Sequence, residues 1–129
     1  MNNKINDNHV IFKEIDHKDS RSGISFGLFK QDGTQVGISV CLDNFRNKEE
    51  DAWHLDKIEI FSEFERQGYG SYLLDKTCET LFTRNRKPII LQRPSNTIAE
   101  DGFDRKKWYE NHGFISHPNP EITFMWKEP

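Results

Sequence analysis

Residues 54–92 read "HLDKIEIFSEFERQGYGSYLLDKTCETLFTRNRKPIILQ", and this stretch leaves the chain few folds to choose from. A strand-like segment, "WHLDKIEIF" at 53–61, runs into the glycine pair Gly68 and Gly70. From Gly70 to Arg84, Leu73, Leu74, Cys78, Leu81 and Phe82 recur at helical spacing on one face. Pro88 then opens "IILQ", a short apolar run of the kind that forms a buried strand. A strand, helix, strand unit of this length favours a right-handed crossover between parallel strands. With 129 residues, there is room for one domain around one core and not for two.

The flanking segments add strands. "VIFKEID" (10–16), "ISFGLFK" (24–30) and "QVGISVCL" (35–42) are strand-like, and Val36, Ile38, Val40 and Leu42 alternate as in a half-buried strand. Asp32-Gly33 between the last two signals a hairpin. "DNFRNKEED" (43–51) is charged and reads as a solvated loop, while the polar residues 1–9 read as a loose end. "FDRKKWYEN" (103–111) fits a shorter helix that Gly113 would end. "FIS" (114–116) and "ITFMWK" (122–127) would be final strands around the "HPNP" turn at 117–120. The expectation is a single α+β domain over 1–129, with a mixed, mostly antiparallel central sheet, one strand-helix-strand crossover and two main helices.

Composition excludes several classes. A net charge of −3 and a pI near 5.9 do not suit a general nucleic-acid binder, which carries a basic excess. No apolar run approaches a bilayer span, and "MNNKINDNHV" has no basic segment followed by an apolar one. A cytoplasmic protein without a secretory leader is expected. Cys41 and Cys78 then read as buried thiols in a reducing compartment. His9, His17, His54, His112 and His117 show no metal-ligand spacing, so no metal is expected.

The glycine pair has two readings. Amides at a helix start lack partners within the helix, and the helix dipole adds positive potential there. Gly68 and Gly70 would let the backbone approach an anion, with Arg66 adding charge and Ser71 a hydroxyl, as a pyrophosphate needs. Alone, the two glycines fit a plain turn at least as well. They match neither the GxxxxGK[ST] phosphate loop nor the three-glycine dinucleotide pattern.

The flanks add a resemblance. "HLDKIEIFSEFERQGYGSYLL" (54–74) resembles the strand, loop and helix of the GNAT superfamily of acyl-CoA-dependent N-acyltransferases, whose Q/R-x-x-G-x-G/A pattern falls on Glu65 to Gly70. "WYENHGF" (108–114) resembles the second family motif. Together they span residues 53 to 127. Three features depart from the family: Glu65 stands where Gln or Arg is usual, residues 17–23 replace two helices, and the Asn often found before the family tyrosine falls on Gly102, with Asn96 too far upstream.

The resemblance implies an N-acetyltransferase that moves an acetyl group from acetyl-CoA, its cosubstrate, to an amine by direct attack. The implied cofactor site is Arg66, Gln67, Gly68, Tyr69, Gly70 and Ser71, with Ile58, Ile60 and Phe61 holding the pantetheine arm. An Ile58 amide would polarise the thioester carbonyl. Tyr109 falls on the family tyrosine near the cofactor sulfur, where its phenol would act as general acid. The general base is open between His54, which falls where histone-acetylating members have Glu, and Glu59. Strand alternation puts Asp56 on the face of His54 and Glu59 on the other. The implied acceptor is an amine: that of a protein or peptide if the short 17–23 segment leaves one side open, or a small molecule if a homodimer partner or the 93–102 loop closes it. Acidic residues at 49–51 and Asp56 could attract a cation, although such a run is commonly a solvated loop. A non-catalytic CoA-binding or protein-interaction module on the same fold is the alternative.

Overall fold

The computed structural model describes residues 5–16, 23–46, 51–94 and 102–129. Strands β1 (Val10–Ile15), β2 (Gly23–Lys30), β3 (Gln35–Arg46) and β4 (Asp51–Ile60) form an antiparallel meander. Helix α1 (Tyr69–Arg84) leads to β5 (Ile89–Gln92), which lies parallel to β4. Helix α2 (Arg105–Asn111), β6 (Ile115–Ser116) and β7 (Phe124–Lys127) complete the chain. The sheet order is β1-β2-β3-β4-β5-β7-β6, and among the described residues β4–β5 is the only parallel pair. The fold is therefore the α+β arrangement expected, with a mixed and mostly antiparallel sheet.

Helix α1 covers one face of β3 and β4. Leu74, Cys78 and Leu81 meet Trp53, Leu55, Phe114 and Met125, while Leu73 meets Val10, Leu28 and Val36. Burying a side chain of this size contributes about 1.5–3 kcal/mol. Cys41 and Cys78 are both buried and unbridged, and burial raises both thiols, Cys78 to about 12. The alternating Ile38, Val40 and Leu42 are only half-buried. The buried set on β3 is instead Val36, Gly37, Ser39 and Cys41, because the β2–β3 register gains a residue between Leu28↔Gly37 and Phe29↔Gln35. Small residues then lie under the helix, and the Ser39 and Thr77 hydroxyls bond each other at 2.9 Å.

At Gly37, which pairs with Ile60, β3 leaves no room for a side chain. A Cβ there would lie 2.6 Å from Ile60 Cδ1 and 2.8 Å from the Glu59 carbonyl oxygen. The second atom is backbone and cannot swing aside. Gly37→Ala is expected to cost about 1–3 kcal/mol through overpacking, read as a lower urea midpoint at unchanged slope. An unshifted midpoint would show that β4 gives way freely.

The charged segment 43–51 is not wholly a loop. Strand β3 continues to Arg46, and Phe45↔Ala52 and Arg46↔Asp51 pair across the hairpin. The reason is Lys87, remote in sequence, whose buried ammonium donates to Asp43 at 2.6 Å and Asp51 at 3.1 Å and lies over the Trp53 ring. Burial alone would lower the Lys87 pKa, but the two carboxylates outweigh it and raise it. Other boundaries also shift. Strand β4 ends at Ile60, so Phe61 lies beyond it, and the last strands shorten to Ile115–Ser116 and Phe124–Lys127. Near the amino terminus, Ile5 packs against the second core cluster and Asp7 accepts from Tyr72 at 2.6 Å.

Candidate active site

The sheet opens between β4 and β5. The two strands pair only at Trp53↔Ile89 and His54↔Ile90. Just beyond, β4 carries a bulge: Leu55 faces Cys41 and Lys57 faces Val40, so Asp56 has no counterpart on β3. After the bulge the Phe61 amide donates to the Val36 carbonyl at 2.9 Å. Residues in an antiparallel pair alternate between those bonding the partner strand and those pointing away from it. With Phe61 and Glu59 turned toward β3, Ile58 and Ile60 aim their N–H and C=O groups at the open side. Backbone groups in that position require partners.

A cavity of about 780 Å³ lies against this edge and reaches the start of α1. Its loop wall is shaped by Arg66 (φ 64°) and Gly68 (φ 89°), both left-handed. Gly68 is the N-cap and has no side chain to offer the first-turn amides, and that turn holds no acidic residue. The amide end of the helix therefore faces the cavity with its positive potential not capped by a side chain of its own first turn. A Cβ on Gly70 would sit 3.5 Å from Trp108 Cζ2 and 3.6 Å from Ile60 Cγ1, which is ordinary contact. Nothing within the chain demands glycine there, and its effect is to leave the cavity wall low. Ser71 borders the cavity; so do Glu65 and Arg66, which are both exposed. The side chains of Gln67 and Tyr69 do not. Gln67 Nε2 donates to the Glu63 carbonyl at 3.4 Å, and buried Tyr69 packs edge-on to Phe64, anchoring the loop.

The three candidate catalytic residues are not gathered in that cavity. Tyr109 is only 6% exposed, packed beneath α2 against Phe114 and Trp108. Burial raises its phenol pKa, opposed by the Arg105 guanidinium. His54 is half-buried on β4 before the bulge; burial lowers its pKa, opposed by Asp56. Glu59 borders the cavity and pairs with Lys57 at 3.2 Å. The expected faces need correction. Trp53 and Leu55 belong to the core before the bulge, and Ile58 and Ile60 pack against it afterwards. The extra residue thus returns Glu59 to the side of His54.

Helix α2 supplies site residues that the sequence did not single out. Asp104 caps it by accepting from the Lys107 amide at 3.1 Å, and Phe103, Arg105 and Trp108 line the cavity. Trp108, packed against the core, donates from Nε1 to Ser71 Oγ at 3.2 Å. His112 bridges the same helices, with Nδ1 2.8 Å from Asp75 Oδ1 and Nε2 3.2 Å from Ser71 Oγ. The pattern "WYEN" placed Trp108 on a helix without saying which way it faced.

Of the segments expected to shape the acceptor side, 17–23 and 93–102, residues 17–22 and 95–101 lie outside the described residues, as do Glu49 and Glu50. Among the described residues, no His, Cys, Asp and Glu group could hold a metal, and no helix is long and apolar enough to cross a membrane.

The sequence model of the acetyltransferase (GNAT) family matches residues 4–114. No curated protein matches. Among solved structures, the chain is similar to a GNAT family acetyltransferase from Elizabethkingia anophelis with acetyl-CoA bound, at 13% identity and a TM-score of 0.69, covering 94% of this chain and 99% of that one. An acetyltransferase of the GNAT family from Staphylococcus aureus Mu50 is 20% identical, with a TM-score of 0.60 over 83% of this chain and 68% of that one. The PaiA N-acetyltransferase of Thermoplasma acidophilum in complex with coenzyme A is 15% identical, with a TM-score of 0.59 over 84% and 62% of the two chains. At these identities the likeness is one of fold.

Proposed function

The chain belongs to the acetyltransferase (GNAT) family, and from that premise we propose that it moves an acetyl group from acetyl-CoA to an amine. The observation that carries this reading is the placement of two unpaired backbone edges. Ile58 and Ile60 on β4 and the amide end of α1 border one cavity, as a pantetheine arm and a pyrophosphate require. Solved relatives with acetyl-CoA or coenzyme A bound support it. When bound, acetyl-CoA supplies the acyl group activated as a thioester.

The chain's own residues would divide the work. The amides of Tyr69, Gly70 and Ser71, with Arg66 alongside, hold the pyrophosphate. The Gly68 turn and the exposed Gln67 keep that loop in place. Ile58 and Ile60 bond the arm through their backbone, with Phe61 at its end, and the Ile58 amide stabilises negative charge on the carbonyl oxygen. His54 accepts the amine's proton, directly or through water, and its lowered pKa keeps the imidazole neutral and ready to accept. Glu59, already paired with Lys57, is the second candidate for that step. Tyr109 gives its proton to the departing sulfur, and its raised pKa keeps that proton in place beforehand.

The short link between β1 and β2 supports a reading of the acceptor. Ile15 pairs with Ser25, so only residues 16–22 connect the strands, too few for a helix pair. An open acceptor side suits an extended amine such as a protein terminus or a lysine on a peptide. The test compares acetylation of a peptide panel with free polyamines, amino acids and aminoglycosides. Peptide turnover is expected. Efficient turnover of a free small amine with inert peptides would overturn the acceptor assignment, and no transfer to any amine would overturn the enzyme.

A further inference from the structure

Ser71 stands at the junction of the cavity and a side-chain chain that acetyl transfer does not use. Its hydroxyl oxygen is 3.2 Å from Trp108 Nε1 and 3.2 Å from His112 Nε2, and His112 Nδ1 is 2.8 Å from Asp75 Oδ1. The protons can be assigned by what each group is able to do. Indole N–H only donates, and an ionised carboxylate only accepts. Asp75 therefore fixes the proton of His112 on Nδ1. Ser71 Oγ accepts from Trp108. Everything else depends on Nε2. When Nε2 is bare, the single hydroxyl proton of Ser71 is spent on it. When Nε2 carries a proton, it donates to Ser71, and the hydroxyl proton is released toward the cavity at the amide end of α1.

We propose that His112 is a proton-linked positioning residue of the phosphate site: as a phosphate group of CoA binds, His112 takes up a proton and turns the Ser71 hydroxyl into a phosphate donor. This rests on the cofactor reading given above. Asp75 on α1 faces His112, α2 itself carries Arg105, Lys106, Lys107 and Glu110, and the Lys127 Nζ of β7 lies 3.7 Å from where a Cβ on Gly113 would stand. Asp75 is the one in contact, and it stabilises the charged ring. Glu65 stands at the loop where the family pattern has Gln or Arg, and the imidazolium supplies positive charge from the opposite helix.

Calorimetric titration of CoA in buffers of different ionisation enthalpy counts the protons taken up on binding. The wild-type protein is expected to take up more protons per CoA near neutrality than His112→Gln. Its affinity should rise by up to about tenfold per pH unit on acidification, while the variant stays flatter. Any titration of the CoA phosphates themselves is common to both proteins and cancels. Ser71→Ala, which cuts the relay at the cavity end, should also lose the excess uptake, and serves if His112→Gln does not fold. CoA binding with equal proton uptake in wild type and variant would overturn the relay alone, leaving His112 a structural clamp. Failure of the wild type to bind CoA would overturn the cofactor reading and the relay with it.

Discussion

Gly70→Glu is expected to weaken CoA binding by about a hundredfold or more while the protein stays folded, because it sets bulk and a carboxylate against the pyrophosphate. The folded state should tolerate the change. The first carbon of the new side chain meets Trp108 and Ile60 at ordinary contact distance. Glutamate also favours a helix over glycine by roughly half a kcal/mol or more, and suits its first turn electrostatically. Stability and affinity should therefore move apart, which a merely misfolded variant could not achieve. Gly70→Ala adds the methyl alone and should lose far less. Calorimetry for affinity and urea unfolding for stability read the two effects. Unchanged affinity in folded Gly70→Glu would remove the loop from the cofactor site.

Tyr109→Phe is expected to lower kcat by about a hundredfold, the usual scale for a general acid, and to leave CoA affinity nearly unchanged. The ring is packed against Phe114 and Trp108, and phenylalanine keeps that packing. Only the hydroxyl is lost. Because burial raises the phenol pKa, the proton is held throughout the neutral range, and the wild-type rate should show no alkaline decline from this group until well above neutrality. Wild-type turnover in the Phe variant would assign Tyr109 to the core and leave the acid to another residue. Steady-state rates and product-bound affinity distinguish the cases, since a packing defect would disturb both.

The fold was legible where its causes are local. The helical spacing of Leu73, Leu74, Cys78 and Leu81, a glycine N-cap, and an apolar run after Pro88 all belong to one stretch, and α1 and β5 emerged there. Features set by a distant partner were hidden. The extension of β3 through Arg46 depends on Lys87, and the facing of Glu59 depends on how Cys41 and Val40 of β3 take up the residues of β4. The same holds in the candidate site. Glycines announce a loop by themselves, whereas the edge presented by Ile58 and Ile60 follows from register, and Trp108 and His112 meet Ser71 across 37 and 41 residues of sequence. Periodicity reports which residues share a face of one element; it carries nothing about which other element arrives there.

Asp56, the unmatched residue at the bulge of β4, acts as a ratchet stop. Were the outer half of β4 to slip by one position and absorb that residue, the two faces of the strand would exchange. Ile58 and Ile60, now packed toward the core, would turn out to solvent, and Lys57 and Glu59 would turn in beneath α1. Burying two charges in that place costs several kcal/mol, far more than a few added ladder bonds return. The backbone groups of Ile58 and Ile60 are thus held at the open side by the core packed behind their side chains.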